Sequence, residues 1–221
     1  MDKKSYIIAN WKSNKTETEA KDWLQRFTIY DLGFANKEII ICPSFTFLSI
    51  LKSYILNHKS SFRLGAQDIS PFTEGSYTGE INGEQIKEFA DYVIIGHSER
   101  RSNFLENQEL LEKKVKMAQK HNLVPIFCIQ NEETPIPMRV ELVAYEPISA
   151  IGTGNPDTPE NADKVAGKIK KKNKTVKYVL YGGSVTSKNV NNFTQMLNID
   201  GVLVGNASLD ASEFLEIIQN A

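Results

Sequence analysis

Cysteine is scarce in this chain: Cys42 and Cys128 are the only two in 221 residues. Two cysteines build no disulfide framework, and their spacing fits no zinc site. No apolar run approaches the ~18 residues of a membrane span. Charge of one sign is also lacking, with 26 Lys and Arg against 27 Asp and Glu, a net charge of −1. A nucleic-acid or polybasic membrane surface needs a basic field, so neither partner is expected. After Met1 come Asp2, Lys3 and Lys4 and then the short run Tyr6–Ala9, too short for the apolar core of a signal peptide. Residues are 41% hydrophobic and 24% charged, an ordinary globular balance rather than a disordered one. A cytoplasmic protein of one large domain is expected, spanning residues 1–221.

What is present is a repeat of strand and helix. Eight short apolar runs recur: Tyr6–Trp11, Ile39–Cys42, Phe62–Ala66, Tyr92–Gly96, Val124–Ile129, Leu142–Tyr145, Tyr178–Tyr181 and Val202–Gly205. Most are continuously apolar, as strands buried on both faces are. Between them lie segments of helical period. Thr16 and Glu19 make a capping box ahead of Ala20, Trp23, Leu24 and Phe27. Ser44 precedes Leu48, Leu51 and Ile55; Gly83–Ala90 buries Ile86 and Phe89; Asn103–His121 carries Leu111, Val115 and Ala118. Thr158-Pro159 starts a further helix, Ser187 opens one with Val190, Phe193 and Leu197, and Asp210 and Glu213 open the last.

Eight strands alternating with helices predict an α/β fold, a single (β/α)8 barrel of eight parallel strands. The doubly wound sheet is the competitor, but no G-x-G-x-x-G follows the first strand. One unit is deficient. Gln130–Glu141 is twelve residues long and holds Pro135 and Pro137. It can cross between parallel strands, but its prolines leave no room for a helix. Seven main helices are therefore expected. Ile136, Met138 and Val140 are expected to fold back over the wall; failing that, a further interface would bury it in a larger assembly such as a tetramer.

In such a barrel the site lies at the C-terminal ends of the strands. Those ends read Asn10-Trp11-Lys12, Gly96-His97-Ser98-Glu99-Arg100, Tyr145-Glu146-Pro147, Gly182-Gly183-Ser184 and Gly205-Asn206. Each alone has an ordinary structural explanation; their coincidence at one mouth has none. Glu146 offers a general base, and His97 and Lys12 offer a donor and a positive charge for a developing oxyanion. The glycine-rich ends of strands 7 and 8 expose N–H groups for a phosphate, beside a turn at Ala207–Leu209. Together they suit proton abstraction next to the carbonyl of a small phosphorylated substrate, without metal or cofactor.

Eight motifs carry a family resemblance: Ala9–Lys12, Ala66-Gln67, Ser70–Glu80, Ile95–Arg101, Ala144–Pro147, Ala150–Gly154, Tyr181–Val185 and Gly201–Val204. By these the chain resembles the triosephosphate isomerase family from end to end. The resemblance implies Glu146 as the base between C1 and C2, and His97 as a neutral electrophile. It implies Lys12 as stabiliser of the enediolate with Asn10 beside it, and Glu99 as the buttress of Lys12. It also implies a lid over residues 147–157 that brings the Gly152 N–H to the phosphate, with Ser184, Gly205 and Asn206 completing that grip. A loop over residues 71–79, with its tip near Thr78, would dock into the Asn10–Lys12 region of a second copy and make a homodimer.

Departures from the family are local. Pro147-Ile148-Ser149 replaces Pro-x-Trp, and Cys128-Ile129-Gln130-Asn131 replaces Cys-x-Gly-Glu, so both halves of a lid contact are changed. The two losses are linked to the loss of the helix between strands 5 and 6. Asn155-Pro156-Asp157 gives a stiffer far hinge. Asn206 stands where glycine is common, the least costly replacement if φ is positive. Two other functions compete: a Schiff-base aldolase with Lys12 as nucleophile, which needs that lysine desolvated, and a non-catalytic phosphate-binding barrel.

Overall fold

A computed structural model describes residues 4–28, 36–150 and 154–221, apart from the side chain of Ser149. Eight parallel strands close into a barrel in chain order: β1 (Ser5–Asn10), β2 (Lys37–Cys42), β3 (Arg63–Ala66), β4 (Tyr92–Ile95), β5 (Val124–Ile129), β6 (Leu142–Tyr145), β7 (Tyr178–Tyr181) and β8 (Gly201–Val204). Closure is set by β1, which pairs with β2 through Ser5–Asn10 and with β8 through Tyr6–Ala9. Strand residues alternate between two layers. Ile8, Ile40, Ile94, Ile126, Ala144, Leu180 and Leu203 fill the barrel interior. Ile7, Ile41, Val93, Phe127, Val143, Val179 and Val202 pack outward against the helices.

The α-helices described are α1 (Glu17–Thr28), α2 (Leu48–His58), α3 (Gly83–Lys87), α4 (Ser98–Asn103), α5 (Gln108–Lys120), α6 (Pro159–Lys172), α7 (Val190–Thr194) and α8 (Ala211–Asn220). The Thr16–Glu19 capping box forms, with the Thr16 N–H donating to Glu19 at 2.7 Å. Thr158 caps α6 by accepting from the Asn161 N–H, with Pro159 in the first turn. Two expectations need correction. The helix expected over Asn103–His121 starts only at Gln108, as α5, because Leu105 adopts φ 55° and Glu106 turns inward to Arg100 and Lys114, and a separate short helix, α4, precedes it and ends at Asn103. That additional helix raises the count among the described residues from the expected seven to eight. Leu197 is not on an inner face: α7 ends at Thr194, and Leu197 is 83% exposed.

Residues 130–141 hold no helix, as the paired prolines require. The wall behind them is nevertheless closed. Phe127, Ile129, Val143 and Tyr145 on the outer faces of β5 and β6 are buried. Val140 is fully buried in the same layer, and Ile136 packs against it. Met138 departs from expectation: it is 84% exposed, while its carbonyl takes the Gln119 side chain at 3.0 Å. The segment is also tied to both flanks. Gln108 of α5 reaches the Pro135 carbonyl, and Lys168 and Lys172 of α6 reach Glu132 and Glu133.

Candidate active site

Inward positions of the strands continue past their C-terminal ends into one cavity of about 690 Å³. Its lining includes Asn10, Lys12, His97, Glu146, Ser184 and Asn206. Thus seven of the eight residues expected to act on substrate come to one mouth, Gly205 among them. The eighth, Gly152, and with it the lid segment 151–153, lies outside the described residues.

Lys12 sits at φ 53°, a conformation costly for a residue with a Cβ. Its surroundings hold it there. Its N–H donates to Asn10 Oδ1 at 3.0 Å, and its carbonyl accepts from Gln67 Nε2 at 2.9 Å and from the Ser44 hydroxyl at 3.2 Å. Gln67 also donates to the Cys42 carbonyl at 2.9 Å, so one amide joins the ends of β1 and β2. The ammonium group lies 2.5 Å from Glu99 Oε1 and beside Gly205, where a Cβ would approach Lys12 Cε to 3.4 Å.

His97 is the N-cap of α4, and its Nδ1 accepts the Glu99 N–H at 3.2 Å. A nitrogen that accepts an N–H carries no proton. The ring is therefore the neutral tautomer with hydrogen on Nε2, which faces Glu146 Oε1 at 3.2 Å. Glu146 is almost wholly buried, and its other oxygen accepts the Ser98 N–H at 3.0 Å. Gly182 makes room for it, since a Cβ there would lie 2.9 Å from Glu146 Cγ. Beneath it, burial and then the neighbouring Glu146 charge push the Cys128 thiol well above its usual range, so Cys128 stays a neutral, inert thiol.

The opposite side of the cavity is suited to an anion. Asn206–Leu209 form a short 3-10 helix, whose first N–H groups have no partner within its own turn. Asn206 is not among the residues at positive φ, and Gly205 is at φ −88°, so the glycine requirement that would have strained Asn206 does not arise. The Ser184 hydroxyl donates to the Ala150 carbonyl at 2.9 Å.

Two contributors escaped the residue-by-residue reading. Ser98 acts through its main-chain N–H, which no side-chain pattern reveals, and Gln67 stood in a matched motif without a role. Among the described residues no group of three or more His, Cys, Asp or Glu is placed to hold a metal ion, and no helix is long and apolar enough to cross a membrane.

Comparison with known proteins shows the family. The family model described as triosephosphate isomerase matches residues 5–138 and 137–221. The triosephosphate isomerase of Mesomycoplasma hyopneumoniae (strain 232) is 39% identical over 249 residues, covering 99% of this chain and 100% of the relative. That of Dictyoglomus thermophilum is 36% identical over 251 residues, with the same two coverages. That of Trichodesmium erythraeum is 36% identical over 239 residues, covering 98% of each. All three alignments are longer than the 221-residue chain, and the family match breaks at 137–138, within the short β5–β6 connection. On this footing the chain belongs to the triosephosphate isomerase family.

Proposed function

We propose that the chain interconverts dihydroxyacetone phosphate and D-glyceraldehyde 3-phosphate, the isomerase step of glycolysis and gluconeogenesis. The carrying observation is the neutral His97, whose Nε2 faces the buried Glu146 carboxylate across 3.2 Å at a mouth shared with Lys12. Glu146 removes a proton from C1 of the ketose, and the C–H electron pair becomes the C1–C2 double bond of an enediolate. Negative charge gathers on the C2 oxygen, where the Lys12 ammonium and the His97 Nε2–H stabilise it. His97 then moves a proton between the two oxygens, and Glu146 returns its proton to C2, leaving the aldehyde at C1. A carboxylate base paired with a neutral histidine is the established pattern of triosephosphate isomerases, and the 3.2 Å spacing of His97 and Glu146 supports that reading.

Lys12 serves as a charge rather than a nucleophile in this proposal. It is paired with Glu99 Oε1 at 2.5 Å and is not desolvated in an apolar pocket, the setting a Schiff-base lysine needs. Asn10 positions Lys12, and Glu99 buttresses it. Ser184, Gly205, Asn206 and Gly152 of the lid grip the phosphate. For Ser184 this means exchanging the Ala150 carbonyl for a phosphate oxygen, which couples substrate arrival to the near end of the lid. Closure keeps water from the enediolate.

The active form is a homodimer of single-domain subunits in the cytoplasm. In support, the 71–79 loop presents Phe72 stacked on Tyr77 at 4.2 Å, both about two-fifths exposed. A groove of about 290 Å³ beside Asn10 and Lys12, lined by Phe45, Gln67 and Phe104, offers a receptor of matching character. A tetramer has no bare β5–β6 wall to bury. Turnover in a coupled assay tests the function. Lys12→Ala should lower kcat/KM at least ~100-fold, the usual loss when one oxyanion-stabilising group is removed. Equal turnover in the variant, or retention of substrate on wild-type protein after borohydride, would overturn it.

A further inference from the structure

Asp157 lies where the lid segment returns to the barrel, and it is unusually well connected. Its N–H donates to the Tyr181 hydroxyl at 2.7 Å. Its carboxylate accepts from the Thr158 N–H at 2.8 Å, from Asn161 Nδ2 at 2.7 Å and from the Tyr145 hydroxyl at 3.4 Å. Tyr145 immediately precedes Glu146. Because consecutive strand residues face opposite layers, Tyr145 points outward among the helix-packing residues while Glu146 points into the mouth. Whatever fastens the Tyr145 ring therefore fixes the backbone that carries the carboxylate.

That fastening matters here because β6 follows the one crossover without a helix. On its other side stands β7, whose Tyr181 ring is held by Phe193 in a parallel stack at 4.0 Å. Room for the Tyr181 hydroxyl is secured by Gly183, where a Cβ would collide with that oxygen. Asp157 thus bridges a fixed point on β7, the first turn of α6 and the end of β6.

We propose that the Asp157 carboxylate is a positioning group for catalysis, clamping the end of β6, and so Glu146, to the start of α6. The inference rests on the isomerase proposal for its kinetic consequence, not for its geometry. Its side chain can be removed without removing the α6 cap, since Thr158 accepts the Asn161 N–H independently.

The test compares Asp157→Ala, Tyr145→Phe, the double variant and Asp157→Asn. Each of the first two should lower kcat/KM about three- to tenfold, the net scale of one ordinary hydrogen bond, since this one is long at 3.4 Å. The double variant should be no worse than either, and Asp157→Asn should recover part of the loss, because its one amide oxygen can accept from Tyr145 and Asn161 while its NH2 then faces the Thr158 N–H. Amide exchange gives a readout free of turnover. The Glu146 and Gly182 amides, bonded to the Ile129 and Tyr145 carbonyls at 2.8 Å, should exchange faster in Asp157→Ala, while amides of α5 keep their rates. Additive kinetic losses, or a uniform rise in exchange with kcat/KM unchanged, would overturn the clamp. A silent wild type would sink the isomerase proposal alone, and the exchange pattern would still decide the clamp.

Discussion

Val140→Ala tests how a barrel closes a wall that lacks its helix. Val140 is fully buried in the outer layer with Phe127 and Val143. Removing two methyl groups forfeits about 1.6 kcal/mol at ~0.8 kcal/mol per group. The cavity left behind raises the cost to about 2–3 kcal/mol, because a segment tied at both flanks cannot collapse fully into the gap. With a urea slope of about 3 kcal/mol/M for a chain of this size, the midpoint should fall by about 0.7–1 M with the slope unchanged. Met138→Ala supplies the control two residues away. At 84% exposure it should stay within about 0.5 kcal/mol of wild type. Both variants belong at one protein concentration, since assembly shifts apparent stability. Equal shifts in the two, or a Val140→Ala shift too small to resolve, would refute the claim that this segment seals the wall.

Burial first, and then the Asp157 charge, pushes the Tyr145 hydroxyl up to about 12; burial does the same for Tyr181. The folded protein therefore keeps protons that the unfolded chain releases near pH 10, so stability present below pH 10 should be lost as pH rises to about 12; urea midpoints across that window check the sign. Lys114 is buried against Glu106 Oε1 and both oxygens of Asp68, with Arg100 bridging the same two carboxylates. Lys114→Met should cost about 3–5 kcal/mol in the same assay by stranding buried charge, and a neutral result would show that water reaches the cluster.

Much of this was legible because strand and helix impose different periods on the same chain. The continuous apolar runs located all eight strands to within about two residues, since burial on both faces leaves no polar alternation to misread. Pro135 and Pro137 announced the missing helix. Chemistry was legible wherever it depends on side-chain type at a strand end, as for Lys12, His97 and Glu146. It was not legible where it depends on main chain or on distant partners. The Ser98 N–H bond to Glu146, the break at Leu105 and the Asp157–Tyr145 contact all arise from tertiary placement. Leu197 failed for a related reason: its helical period continued past the point where α7 stops.

The proposed chemistry turns on one carboxylate, so turnover of Glu146→Gln beside wild type tests it most directly. The substituted amide would keep the shape of the side chain, and its carbonyl oxygen can still accept the Ser98 N–H, but it cannot take a proton from carbon. Wild type should turn over the triose phosphate, and the variant should lose at least ~100-fold in kcat, the scale on which positioned general bases act. Undiminished turnover in a folded Glu146→Gln protein would contradict the assignment of the base and require another residue to move the proton.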